Sequence, residues 1–345
     1  MSVNKTLIPI LVISAASLLA LLFLILFWPQ DNSFEKIKVE IQQGAPLSEI
    51  ARTLEDHKII SSPKTFKLAV KALGYETGIP AGMYQLQHAK NNYDIISQLV
   101  HGIPVMRRVT ILEGWSMHQI ADYIADRMKI DKTEFLTLCT DPQFLHQMNI
   151  PYDSMEGFLF PETYYFPENE TPENIIRTMI SEYHDFMDDT RRGRAAELGF
   201  SELELVTLAS IIEGEAIYDS ERPVISAVYH NRLKLGMRLQ ADPTIQYIIH
   251  DGPRRLLNRD LQIESPYNTY LHYGLPPGPI NNPGKVSIQS ALYPAENEFL
   301  YFVARGDGYH TFSKTQDEHN IAKRKFQKFR RENRRKNREN IKGKS

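Results

Sequence analysis

"VEIQQGAPLSEIARTLEDHKII", residues 39–60, and "VTILEGWSMHQIADYIADRMKI", residues 109–130, align without a gap at an offset of 70. Val, Ile, Gly, Ile, Ala, Asp and Ile coincide between them. Each stretch opens with an alternating apolar pair (Val39, Ile41; Val109, Ile111) and then passes a glycine (Gly44; Gly114). Apolar residues at i, i+1 and i+4 follow: Ile50, Ala51, Leu54 and Ile120, Ala121, Ile124. Period-two alternation predicts a short strand, the glycine a turn, and the last pattern an amphipathic helix. Residues 82–102, "GMYQLQHAKNNYDIISQLVHG", repeat that order more loosely. Small units of this kind predict an α+β fold, with short sheets and segregated helices rather than a doubly wound parallel sheet.

Upstream of the first unit, Leu7 to Trp28 is a run of 22 residues without a charge. At ~1.5 Å per residue it is long enough to cross ~30 Å of hydrocarbon. It exceeds the apolar part of a signal peptide, and Trp28-Pro29-Gln30 is no small-residue cleavage site. The reading is an uncleaved transmembrane anchor over 7–28. Lys5 precedes it while Asp31 and Glu35 follow, which puts residues 1–6 in the cytoplasm and the rest on the periplasmic or extracellular side of the inner (cytoplasmic) membrane.

The formal net charge of −2 hides an asymmetry. Residues 323–345 hold 12 Lys/Arg against 2 Asp/Glu, a basic tail of +10 on a body of −12. With that topology nucleic acid is excluded as a partner, and anionic lipid or wall polymer remains. The tail reads as a frayed or disordered helix. Its closing Gly343-Lys344-Ser345 is not a nucleotide loop, since Arg338 stands where the first glycine is needed. The one cysteine, Cys139, excludes a disulfide framework and a Cys-based zinc site, and reads as a small core residue.

Further along, "LASIIEGEA", residues 208–216, sets Glu213 and Glu215 in an apolar helical run from Glu202 to Ile217, with no Lys or Arg close by in sequence. An unpartnered buried carboxylate takes up a proton. At ~100° per residue, Leu205, Leu208, Ala209, Ile212 and Ala216 make the buried face. The two glutamates flank it ~200° apart on that spacing, and helix geometry alone does not choose between them. No H-E-x-x-H pair, G-x-S-x-G elbow or dinucleotide glycine pattern occurs. The expected chemistry is therefore acid/base work by a carboxylate, with no metal and no cofactor. Two more helices are predicted over 221–235 and 286–293. In "FLYFVARGDGYHTF" a strand–turn–strand follows, with Gly306-Asp307-Gly308 as its turn.

Several motifs in order carry a resemblance: "LASIIEGEA", "SAVYHNRLKLGMRLQADPTIQY" (226–247), "SPYNTYLHYGLPPGPINNPG" (265–284), "ALYPAENEFLYFVA" (291–304) and "GYHTF" (308–312). Together they resemble the YceG-like family. The resemblance implies endolytic cleavage of the MurNAc-β-1,4-GlcNAc bond of peptidoglycan, leaving 1,6-anhydro-MurNAc ends. It also implies Glu215 as the catalytic acid/base, because Glu215-Ala216 fits the glutamate-then-small-residue frame of lytic transglycosylases. Glu213, followed by Gly214, is the second choice. Gln240, Tyr267, Asn268 and Tyr270 are candidate cleft residues, their alternative being support of a turn. Asp242 is a candidate second carboxylate, as a hydrolysing muramidase would need, or a turn cap before Pro243. Residues 274–284 read as a rigid loop shaping the cleft wall, and His310 as a core histidine.

"EGFLFPETYYF" (156–166) is either a core strand and turn or an aromatic wall for sugar rings. Residues 33–105 resemble LysM-type glycan-binding modules in pattern. The domains expected are 1–6, cytoplasmic; 7–28, anchor; 33–105, LysM-like; 106–322, catalytic; and 323–345, basic tail. Expected partners are peptidoglycan strands, the membrane and peptidoglycan synthases. A hydrolytic muramidase and a non-catalytic peptidoglycan-binding scaffold are the competing functions.

Overall fold

The computed structural model describes residues 7–27, 29, 36–42, 44–87, 89–102, 104–249 and 252–342; the side chains of 7–9, 11 and 333–342 are not among them. The expectations for residues 1–6 and 343–345 lie outside the described residues. Two compact units emerge, one of residues 1–109 with 165–171, the other of 110–164 with 172–345.

The first unit runs α1 (Leu7–Phe27), β1 (Ile37–Ile41), α2 (Leu47–Asp56), α3 (Pro63–Ala72), β2 (Gly82–Leu86), α4 (Asn92–His101). β1 and β2 pair antiparallel, Ile37 opposite Leu86 through Ile41 opposite Gly82. Val39 and Ile41 point into the core while their neighbours face out, as alternation requires. Gly44 turns the chain at φ +74°, a conformation cheap only for glycine. α2 then buries Ile50, Ala51 and Leu54, the three residues its spacing singled out. Ser62 and Asn91 cap α3 and α4 by accepting from backbone N–H groups.

The C-terminal end of α1 also belongs to this unit. Leu26 is buried, and the Asn92 amide donates to the Ile25 carbonyl at 2.8 Å. From Val12 to Leu24 the helix is almost wholly exposed and apolar. Among the described residues no helix is long and apolar enough to cross a membrane.

β3 (Met106–Thr110) and β4 (Thr163–Pro167) pair with each other, and the division between the units falls within both. The second unit continues α5 (Met117–Met128), α6 (Lys132–Leu138), α7 (Pro142–Gln147), α8 (Pro172–Phe186), α9 (Asp189–Glu197), α10 (Glu202–Glu215), α11 (Arg222–Lys234), α12 (Asp242–Ile248), α13 (Lys285–Leu292), β5 (Tyr301–Ala304), β6 (His310–Ser313) and α14 (Gln316–Lys342). Among the described residues the sheets are small and two-stranded, so the mixed α+β reading holds, but strands and helices alternate along the chain instead of being segregated as expected.

At the centre lies α10. Ser201 and Glu204 close a capping box at its start. Every residue from Leu205 to Ile212 is buried, so the helix is apolar all round and not amphipathic as its spacing suggested. Its interior hydroxyls are satisfied locally: Thr207 donates to the Leu203 carbonyl and Ser210 to that of Thr207. The aromatic run 158–166 resolves in favour of the core. Phe158, Phe160, Tyr164 and Phe166 are buried, Phe158 and Phe160 packing against Tyr183, and only Tyr165 is open to solvent. They form no wall for a ligand. Cys139 is buried, as read. The division placed at 322/323 falls inside α14, so the first turns of the basic segment are continuous with the helix on the β5–β6 hairpin.

Candidate active site

Glu215 is the last residue of α10, and Ala216 already has extended φ/ψ. A helix C-terminus carries partial negative charge, which disfavours a carboxylate there. Gly214, just before it, is required by space: a Cβ would stand 2.6 Å from Pro243 Cβ. Its absence lets the start of α12 press against the end of α10, bringing the backbone N–H of Asp242 onto Glu215.

The half-buried Glu215 carboxylate accepts from the Tyr229 hydroxyl at 2.8 Å. Burial raises its pKa to about 7. The Asp242 charge adds to the rise, while the Tyr229 hydroxyl, Arg232 and the Asp242 N–H oppose it. Tyr229 is buried on α11 and its own pKa is driven well above the ordinary value, by burial first and then by Glu215, so it remains a donor. Near neutrality Glu215 is thus poised between acid and base.

Glu213 is held differently. Its side chain is 6% exposed and pairs with Arg222 Nη1 at 2.8 Å, Arg222 also being 6% exposed. The Gly284 N–H donates to it at 3.0 Å. Arg222, nine positions away in sequence, reaches it because the chain reverses between α10 and α11. The expectation that neither glutamate has a basic partner is therefore corrected for Glu213. A carboxylate fixed in a buried ion pair is part of the scaffold.

Glu215 and Asp242 line two adjoining cavities. One, about 540 Å³, is walled by Arg232, Gln240, Tyr270, His310, His319, Lys323 and Phe326, among others. The other, about 750 Å³, is lined by Ser116, His118, Gln119, Gln246, Tyr247, Ile280 and Asn281 beside them. A chain-like ligand could therefore extend to both sides of Glu215.

Of the residues read from sequence, Gln240, Asp242 and Tyr270 stand with Glu215. Tyr270 donates to the Asp242 carboxylate at 2.5 Å. Gln240 is exposed with φ 48°, a strained conformation for a residue with a Cβ, and its N–H is held by the Thr269 carbonyl at 3.1 Å. Thr269 also ties down the Ala241 N–H and the Thr244 hydroxyl. Asn268 lines neither cavity. It is fully buried, its amide donating to the Leu261 and Ile263 carbonyls and accepting from the Tyr270 N–H, so it holds the loop that presents Tyr270. Tyr267 also lies off the cavity walls, bonded to the Tyr152 hydroxyl at 2.7 Å and packed on Tyr247. His310 faces the first cavity, although its ring is paired with Glu221 at 2.9 Å.

The loop 274–284 packs on α10: Ser210 accepts from the Ile280 N–H and, through its carbonyl, from the Asn281 amide. Asn282 accepts from the N–H groups of Gly157 and Leu159, and donates to Glu156 and the Trp115 carbonyl. Burial pushes Glu156 up to about 8, opposed by bonds from the Met117 N–H and Asn282. Tyr229 and Arg232 were missed as site residues. They lie inside the "SAVYHNRLKLG" motif, but nothing local marks them as facing Glu215.

A carboxylate held near neutrality, at a helix end and between two open cavities, is suited to acid/base chemistry. Residues 39–325 match the YceG-like family. An endolytic murein transglycosylase of Bacillus subtilis is 36% identical over 86% of this chain and 86% of its own. One from Streptococcus pneumoniae is 29% identical over 84% of this chain and 59% of its own. The crystal structure of a putative YceG-like protein of Listeria monocytogenes, 36% identical, superposes with a TM-score of 0.58 and covers 83% of this chain and 98% of that one. The chain belongs to the YceG-like family.

Proposed function

We propose that the protein is an endolytic peptidoglycan lytic transglycosylase, a carbon–oxygen lyase that cleaves the MurNAc-β-1,4-GlcNAc bond within strands and leaves 1,6-anhydro-MurNAc ends. The observation that carries this reading is Glu215, whose pKa of about 7 lets one group give and retake a proton. As acid it protonates the glycosidic oxygen, and the bond to the muramoyl anomeric carbon breaks. The substrate's N-acetyl group and the Asp242 charge offset the positive charge that develops there. As base it then takes the proton from the muramoyl 6-hydroxyl, whose oxygen closes onto the anomeric carbon. The proton lent is recovered and no water enters.

Asp242 beside Glu215 also favours a second reading, a hydrolytic muramidase in which the second carboxylate activates water. Mass spectrometry of digested peptidoglycan separates the two. Anhydro-muramoyl products, lighter by one water than reducing ends, are expected; reducing ends alone would establish hydrolysis, and an intact polymer would favour a non-catalytic scaffold.

Beyond this centre, α1 serves as a single-pass anchor in the cytoplasmic membrane, keeping the enzyme beside nascent strands. There it limits their length and works next to peptidoglycan synthases. The β–α–α–β order of the first unit supports a LysM-like role in holding glycan. The basic residues from Lys323 onward suit anionic lipid or wall polymer.

A further inference from the structure

Two cations reach the smaller cavity beside Glu215, and they differ in kind. Arg232 is buried and committed: it donates through Nε to the Leu300 carbonyl and through Nη1 to that of Leu239, each at 2.6 Å, and lies over the Tyr301 ring. Lys323, on α14, lines the same cavity but is exposed and makes no ion pair or hydrogen bond among the described residues. The other α14 residues on this cavity are not charged rivals. Phe326 lies three residues on, on the same helix face, and His319 four residues before, stacked on Tyr301. His319 is kept neutral, its pKa lowered by burial and then by Lys323 and Arg232.

A substrate carrying carboxylates meets Glu215 and Asp242 in this cavity, and an uncommitted ammonium on the same cavity's wall offsets that repulsion. Lysine suits the task, since its three donors swing on a flexible stem and need no fixed partner geometry. Resting on the function proposed above, we propose that Lys323 recognises the substrate by binding a carboxylate borne on the 3-O-lactyl arm of a muramoyl residue beside the scissile bond. That carboxylate has two sources: the lactyl acid itself in naked strands, or the attached peptide.

The test compares the full chain in detergent with Lys323→Gln and Lys323→Arg, by titration with three probes. These are naked muramoyl-containing oligomers, the same oligomers bearing stem peptides, and chitooligosaccharide, which lacks the lactyl arm. Lys323→Gln is expected to weaken binding of the muramoyl oligomers roughly two- to fivefold, as for a solvent-accessible ion pair. Lys323→Arg restores most of it, and chitooligosaccharide binds all three proteins alike. In digests the loss appears in KM rather than kcat. Weakening confined to peptide-bearing oligomers assigns the anion to the peptide, weakening confined to naked oligomers assigns it to the free lactyl acid, and weakening of both shows that the ammonium takes either carboxylate. Unchanged binding of every probe, or equal weakening of chitooligosaccharide, overturns the proposal. A wild-type protein that binds the oligomers but cleaves none would sink the enzymatic reading, while the binding comparison still decides the role of Lys323.

Discussion

Replacing Glu215 by glutamine should stabilise the protein at alkaline pH. In the folded chain the carboxyl titrates near 7, against an ordinary 4.5. Between those values the native state keeps a proton that the unfolded chain releases. Stability from this group is therefore full below the unfolded pKa and is lost as pH rises through the folded one. The 2.5-unit gap corresponds to about 3 kcal/mol. Glutamine imitates the protonated form and has nothing to lose. Melting curves of the full chain in detergent should coincide for wild type and Glu215→Gln near pH ~4. Near pH ~8 the variant should melt later by about 6–12 °C for a unit of this size. A variant less stable than wild type at pH ~8, or one whose melting follows the wild-type pH dependence, would refute the claim that Glu215 is held protonated by its surroundings.

Two further changes probe the same helix end. Glu213→Gln removes the buried partner of Arg222 and leaves it the exposed Asp219, 2.9 Å from Nε, so it should destabilise the fold by about 1–3 kcal/mol, opposite in sign to its neighbour two positions on; a neutral effect on denaturant unfolding would show the pair to be incidental. Tyr229→Phe removes a hydrogen bond that favours the Glu215 carboxylate, and should move the alkaline limb of the pH–rate profile upward by about one unit. A downward move would mean that the phenol stabilises the protonated form instead.

Much of the architecture was legible because it is local. The repeat at 39–60 and 109–130 and the Gly306–Gly308 hairpin turn each state their structure within a few residues, and α2, α5, α10, α11 and α13 formed where spacing put them, although the strand expected from Val109 and Ile111 ends at Thr110. The surroundings of the two glutamates were not legible. α10 is buried on every side through Ile212, so no helical wheel distinguishes an inner from an outer position there, and Arg222 reaches Glu213 only through the reversal between α10 and α11. Asn268 shows the same limit. A polar residue in a Tyr-Asn-Thr-Tyr loop reads as a ligand group, yet its amide is consumed by the Leu261 and Ile263 carbonyls. Composition likewise made 323–345 a separate tail, whereas Lys323 and Phe326 stand on a helix wall of the cavity.

The most direct test of the central claim is the cleavage of purified peptidoglycan strands by folded Glu215→Gln, measured beside wild type and a folded Glu213→Gln. Strand binding should persist while formation of anhydro-muramoyl ends falls by roughly 10²-fold or more, the loss expected of a removed general acid/base. Glu213→Gln should retain measurable cleavage. If Glu215→Gln cuts at the wild-type rate and Glu213→Gln is inert, the catalytic proton belongs to Glu213 and the account is wrong at its centre.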